Sequence, residues 1–214
     1  TSDGHWINKP HNIDGAILAY AVLQTNSEAV GSCRIAMDEM VEIIQQHIGE
    51  DGTVMYRKSM KNYRYVDTIG FICPFLISYG VKYGKEECID LAINQIRSYN
   101  KYGIFQEHFI PGHAYEIHSK YPLGLYGWGR GLAWFALGVI DSWNALPEQS
   151  LYKKELQHVI EKFTNTILSL QQNNGSWNWT VTRNESQPDS STIAALLWFL
   201  LNAATIPRIS GECK

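Results

Sequence analysis

The sequence predicts an all-α protein of stacked helical hairpins, an (α/α) toroid left incomplete at about seven helices. Three observations lead there. Seven segments carry helical periodicity, and no convincing series of strands accompanies them. Nearly uncharged and amphipathic segments alternate strictly along the chain. The loops between hairpins are long and rich in Gly, Trp, Tyr, His and Asn, where short polar turns are the default.

The elements follow in order. Segment 14–25 carries no charge after Asp14. In 27–48, Val30, Cys33, Met37, Met40, Val41, Ile44 and Ile48 form a stripe opposite Glu28, Arg34, Asp38 and Glu42. Segment 65–81 is uncharged after Asp67, and 85–99 sets Ile89, Ala92, Ile93 and Ile96 against Lys85, Glu86, Asp90 and Arg97. Segment 131–146 holds only Asp141. In 149–172, Leu156, Val159, Ile160, Phe163, Ile167 and Leu170 recur at helical spacing, with Lys153, Lys154, Glu155, Glu161 and Lys162 on the remaining surface. Segment 190–206 has no charge. A helix apolar nearly all round is buried on most sides. Alternation therefore places one helix of each hairpin inside and its partner outside, as in helical arrays and toroids. A four-helix bundle, whose helices are all amphipathic, fits less well.

The 214 residues are read as a single domain, 45% hydrophobic, with 18 Lys+Arg against 21 Asp+Glu. A net charge of −3 gives no electrostatic reason to expect nucleic acid or an anionic membrane as partner. The longest apolar run, 193–204, is shorter than the ~20 residues that span a bilayer. No apolar leader is visible at Thr1, and a soluble, cytoplasmic protein is expected. Four cysteines (Cys33, Cys73, Cys88 and Cys213) lie far apart without a CxxC pair, so neither zinc nor a disulfide framework is suggested.

Function is sought in the few charges on the apolar helices. Asp14, Asp67, Arg130 and Asp189 each stand at the start of one, so parallel inner helices would gather all four at one mouth. Asp189, followed by Ser190 and Ser191, reads first as a helix cap. Arg130 opposes the helix dipole and is better explained by an anion or carboxylate partner. Asp14 and Asp67 would form a carboxylate pair whose repulsion and partial desolvation raise one pKa toward that of a general acid. Trp128 and Trp134 bracket Arg130, and Tyr63, Tyr65, Tyr115, Tyr121 and Tyr126 lie in the same loops, where aromatic faces can stack on sugar rings. Trp143 and Trp198 are expected to fill the core. Of the evenly spaced His108, His113 and His118, one is expected to reach a substrate; their spacing does not suggest a metal site.

Asn12-Ile13-Asp14, Tyr65-Val66-Asp67-Thr68 running into Pro74-Phe75-Leu76, and Trp128-Gly129-Arg130-Gly131-Leu132-Ala133-Trp134 together resemble the unsaturated glucuronyl and rhamnogalacturonyl hydrolases, glycoside hydrolase families 88 and 105. His113-Ala114-Tyr115-Glu116 resembles their histidine–small–aromatic–acid loop, with Glu where Asp is usual; Gly175-Ser176-Trp177 and Asp189-Ser190-Ser191 match more loosely. The similarity runs over roughly residues 12–205 and implies part of a six-hairpin toroid, with helices lacking at both ends. It implies hydration of the C4=C5 bond in the terminal unsaturated uronic acid of polysaccharide-lyase oligosaccharides. Asp67 would be general acid and base, Asp14 the second carboxylate, and His113, Trp128, Arg130 and Trp134 would hold substrate, with no metal or organic cofactor. Two other readings stand beside it: a catalytically reduced carbohydrate-binding protein of this family, and a conventional glycosidase using Asp14 and Asp67. An open ring also leaves apolar inner surface uncovered, which predicts self-association, a rearranged smaller array or marginal stability.

Overall fold

The computed structural model describes residues 3–25, 33–207 and 209. Among them are seven helices: α1 (Gly15–Gln24), α2 (Arg34–Gln45), α3 (Asp67–Tyr83), α4 (Glu86–Tyr102), α5 (Gly129–Ala145), α6 (Leu151–Ser169) and α7 (Ser190–Ala203). Each of the seven expected segments holds one of these helices within its described residues. Glu28, Val30 and Cys213 lie outside the described residues.

The packing order is that of concentric hairpins. α1, α3, α5 and α7 pack in series as an inner arc; α2 lies against α1 and α3, α4 against α3, and α6 against α5 and α7. This is an incomplete (α/α) toroid. Its best-covered members are the middle inner helices, α3 and α5, which bury residues all round. They meet closely: a Cβ at Gly138 would stand 2.5 Å from the Ile69 carbonyl, and one at Gly70 would stand 2.8 Å from the Trp134 carbonyl oxygen. Pro74 falls inside α3 and leaves the Gly70 carbonyl without its helical donor.

The outer helices bury most of the stripes their periodicity announces; Ile48, by contrast, lies past the end of α2 and is 38% exposed. Met37, Met40, Val41 and Ile44 of α2, Ala92, Ile93 and Ile96 of α4, and Leu156, Val159, Ile160, Phe163 and Ile167 of α6 all enter one core. Within it the rings of Tyr99, Phe135, Phe163 and Phe199 touch in series, linking α4, α5, α6 and α7.

Four expectations are corrected. α1 and α7 are buried on one side only: Leu18 is 57% and Leu201 69% exposed, because these helices end the arc and, among the described residues, no inner helix lies beyond them. For the same reason Trp198 does not fill the core; it is 49% exposed, and its indole N–H donates to Asp141 at 3.0 Å. Lys153 is buried rather than superficial, its ammonium donating to the Leu146 carbonyl and Glu148 and lying 4.3 Å from the Trp143 ring. Short strands also occur: β1 (Tyr63–Tyr65), β2 (Ile104–Phe105), β3 (Ile110–Pro111), β4 (Ala114–Glu116) and β5 (Tyr121–Leu123). They form an antiparallel β1–β4–β5 sheet and a β2–β3 hairpin. Two or three residues are too few for a period-2 pattern to register, and long-range anchors hold them instead. Arg64 in β1 is wholly buried, paired with Asp51 and donating to the carbonyls of Lys61 and Tyr63. Tyr99 donates to the Gly112 carbonyl at 2.6 Å. Cys33, Cys73 and Cys88 are free thiols, and no described helix is long and apolar enough to cross a membrane.

Candidate active site

Helix starts and the loops above them build one mouth. Ile13 and Val66, both fully buried, fix the backbone just before Asp14 and Asp67. Hydrophobic anchoring of one residue turns the next toward the rim, which is why an apolar–Asp pair recurs at two inner helices. Asp189 does what its position announces: it caps α7, accepting from the Thr192 N–H at 2.9 Å and from the Ser191 hydroxyl.

Charge links the four helix starts. Arg57, from the loop after α2, donates to Asp14 at 3.2 Å. Arg130 donates to Asp189 at 3.2 Å, the carboxylate partner its position called for. His113, just before β4, brings its Nε2 within 3.7 Å of Asp67 Oδ2. That oxygen is buried and accepts no hydrogen bond, and the Asp67 side chain is only 14% exposed. Burial pushes the Asp67 carboxyl above the usual carboxylate range, against the opposing pull of its own backbone N–H and of His113, Arg130 and Arg57. The direction matches expectation; the cause is desolvation, where repulsion from Asp14 was also expected. Asp14 itself is half-exposed and engaged by Arg57. Asp189 goes the other way: burial would raise its carboxyl, but hydrogen bonds from Ser191 and Thr192 together with Arg130 hold it below the usual range.

Aromatic rings arc around these charges. Trp134 packs edge-on against Phe71 at 4.8 Å between centroids, Phe71 meets Tyr56 at 6.0 Å, and Tyr56 meets Tyr65 at 5.5 Å. Tyr65 meets His113 at 5.2 Å, and His113 meets Trp128 at 4.6 Å. Arg57 lies 4.0 Å from the Tyr56 ring, and Arg130 lies 5.3 Å from that of Trp128. Gly131 is required here, because a Cβ would stand 2.8 Å from the Trp128 ring that folds over the start of α5.

The structure thus brings together Asp14, Asp67, His113, Trp128 and Arg130, and sets Trp134 at the inner end of the aromatic arc. Other candidates lie elsewhere. Tyr115 is buried against Tyr99 and Tyr102, and Tyr126 packs on Phe105. His108 and His118 are exposed beside Glu107 and Glu50, away from His113. Glu116 accepts the N–H groups of His118 and Ser119 and so holds a turn. Leu132 is fully buried and lines no part of the mouth. Arg57 and Tyr56 escaped sequence reasoning. Their only signal was a cation beside an aromatic in a long loop, and nothing local ties Arg57 to an aspartate 43 positions earlier.

Comparisons agree with this architecture. The profile of glycosyl hydrolase family 88 matches residues 2–206. No curated protein matches the chain. Among solved structures, a family 105 glycoside hydrolase from C. acetobutylicum ATCC 824 superposes with a TM-score of 0.88 at 17% identity, covering 100% of this chain and 64% of that one. The unsaturated glucuronyl hydrolase of Bacillus sp. GL1 gives 0.76 at 16% identity, over 94% of this chain and 59% of that one. A family 88 glycosyl hydrolase from Bacteroides vulgatus gives 0.68 at 12% identity, over 99% and 66%. The chain therefore spans about two thirds or less of the length of these proteins. A profile match over nearly its whole length, on an inner arc of helices carrying the mouth, assigns the chain to glycosyl hydrolase family 88.

Proposed function

We propose that this mouth hydrates the C4=C5 bond of a terminal unsaturated uronic acid in oligosaccharides released by polysaccharide lyases, with Asp67 as general acid and base. One observation carries the reading: Asp67 presents a buried carboxylate oxygen without a hydrogen-bond partner, 3.7 Å from His113, with its proton affinity raised by burial. Protonating a vinyl ether needs one acid that keeps its proton near neutral pH and loses it easily at the reacting carbon.

The steps balance on one water. Protonated Asp67 gives its proton to C4, and positive charge develops at C5 and the ring oxygen. Water attacks C5 and returns a proton to Asp67. The resulting C5 hemiketal opens by breaking its bond to the ring oxygen, and the hemiacetal thus freed at C1 releases the remaining saccharide as an alcohol. Arg130 and Arg57 suit the uronate carboxylate and the hydroxyls around it, and Arg57 holds Asp14 in place. Trp128 and Trp134 are assigned to the sugar face, and His113 to a hydrogen bond with substrate. The Bacillus relative, described as responsible for glycosaminoglycan degradation, supports the substrate class. The chain is proposed to need no metal or organic cofactor for these steps.

The test is loss of the ultraviolet absorbance of the conjugated double bond on lyase-generated disaccharides. The wild-type chain is expected to remove it, and Asp67→Asn to slow its removal by about 10²–10⁴-fold. A wild-type chain that binds the disaccharide but leaves the absorbance unchanged refutes the reading in favour of a binding protein. Release of reducing ends from saturated oligosaccharides would identify a conventional glycosidase instead.

A further inference from the structure

The β1–β4–β5 sheet has two faces of opposite character. Arg64 and Tyr115, paired across β1 and β4, point inward and are buried. Tyr63, Tyr65, Glu116, Tyr121 and Leu123 belong to the other face by the two-residue alternation of strands. Its two ends differ in turn. At one end, Tyr65 pairs with Ala114 and Leu123 beside His113, inside the aromatic arc of the mouth. At the other, Tyr63, Glu116 and Tyr121 lie in one cross-strand row. Tyr63 is 39% and Tyr121 67% exposed. The row is two residues further along the strands, about 7 Å from the Tyr65 row, and its tyrosines are two strand spacings apart, about 10 Å. Beside Tyr63 lies a hollow of 270 Å³ lined by Ser59, Met60, Lys61 and Asn62.

We infer that Tyr63 and Tyr121 form a second sugar-binding platform, continuous with the mouth, that stacks on pyranose rings beyond the first two residues of an oligosaccharide. It rests on the function proposed above, which sets the terminal sugar at Asp67 and lets the rest of the chain leave past Tyr65. Two exposed phenol rings stand one row beyond Tyr65 on the face that Tyr65 begins. Pyranose rings offer flat C–H faces to aromatics and hydroxyls to polar neighbours, and Ser59, Lys61 and Asn62 supply the latter. Glu116, between the tyrosines, is occupied by the turn N–H groups and keeps the row in register. The platform makes the enzyme prefer longer oligosaccharides without touching the reacting bond.

The test compares unsaturated di- and tetrasaccharides from a lyase digest of glycosaminoglycan, using wild type, Y63A/Y121A and Y63F/Y121F. Wild type is expected to show a KM for the tetrasaccharide lower by about 10-fold, as two aromatic stacks allow. The alanine pair abolishes that difference and leaves kcat/KM on the disaccharide unchanged; the phenylalanine pair keeps it. An alanine pair that retains the wild-type difference overturns the platform. Calorimetric binding of a saturated tetrasaccharide separates this proposal from the reaction. Weaker binding by the alanine pair supports the platform even if the wild-type chain never clears the absorbance, and equal binding overturns it even if the chain does.

Discussion

Asp67 couples function to stability, and its replacement by asparagine tests both. Its Oδ2 atom is buried without a donor, and burial raises the carboxyl pKa above the ordinary range. A buried acceptor left unsatisfied costs about 1–3 kcal/mol. Asparagine keeps the side-chain shape and still leaves a polar atom unpartnered there, so what Asp67→Asn relieves is the buried charge; the fold is expected to gain about 1 kcal/mol at neutral pH, the step from an unsatisfied charged group to an unsatisfied neutral one. For a chain of this size that is a rise of roughly 2–4 °C in Tm per kcal/mol. The sign follows from linkage: the folded state holds the Asp67 proton more tightly than the unfolded state. Wild-type stability from this group is intact below the ordinary carboxylate pKa and is lost as pH rises through the raised value. The advantage of asparagine should therefore be largest near neutral pH and fade on acidification. Thermal melts of both proteins at pH values on either side of the carboxylate range measure it, alongside the loss of the absorbance assay. If the asparagine protein melts below wild type at neutral pH, or keeps a constant offset into acid, the electrostatic account of Asp67 is wrong.

Three further outcomes are expected. Arg57→Ala removes a cation that lowers the Asp67 carboxyl, so the pH–rate limb assigned to Asp67 should move to higher pH; an unmoved limb refutes the link. Arg64→Ala strands Asp51 and unpins β1 from the loop that carries Tyr56 and Arg57, and should cost about 3–5 kcal/mol in a urea titration; less than about 1 kcal/mol would mean the pair is dispensable. The apolar residues bared at the ends of the arc, Ile17 and Leu18 on α1 and Leu197 and Leu201 on α7, predict concentration-dependent association of the 214-residue chain. Sedimentation velocity of wild type and a Leu18→Lys/Leu201→Lys variant checks it, and a wild type that stays monomeric at all concentrations removes the idea.

The helices, their alternation between inner and outer layers, and the gathering of Asp14, Asp67, Arg130 and Asp189 were all readable from the chain. Each depends on local chemistry: apolar spacing decides which face a helix buries, and a lone charge at the start of an apolar helix has few places to go. The Trp128–Trp134 motif was legible for a similar reason, since Gly131 is demanded by a contact only three residues away.

Tertiary structure alone decided the rest, because those features depend on partners distant in sequence. Arg57 joins the site through Asp14 on another helix. Strands β1, β4 and β5 are too short to announce themselves and exist because Arg64 and Asp51 clamp their frame. Apolar composition said that α1 and α7 could be buried, but burial all round needs an inner neighbour on both sides, and among the described residues each end of the open arc has an inner neighbour on one side only. The same physics explains Trp198, which is 49% exposed on the last helix of the arc. It also explains Asp67, whose raised proton affinity comes from how deeply the folded mouth withdraws it from water rather than from Asp14, which starts a different helix.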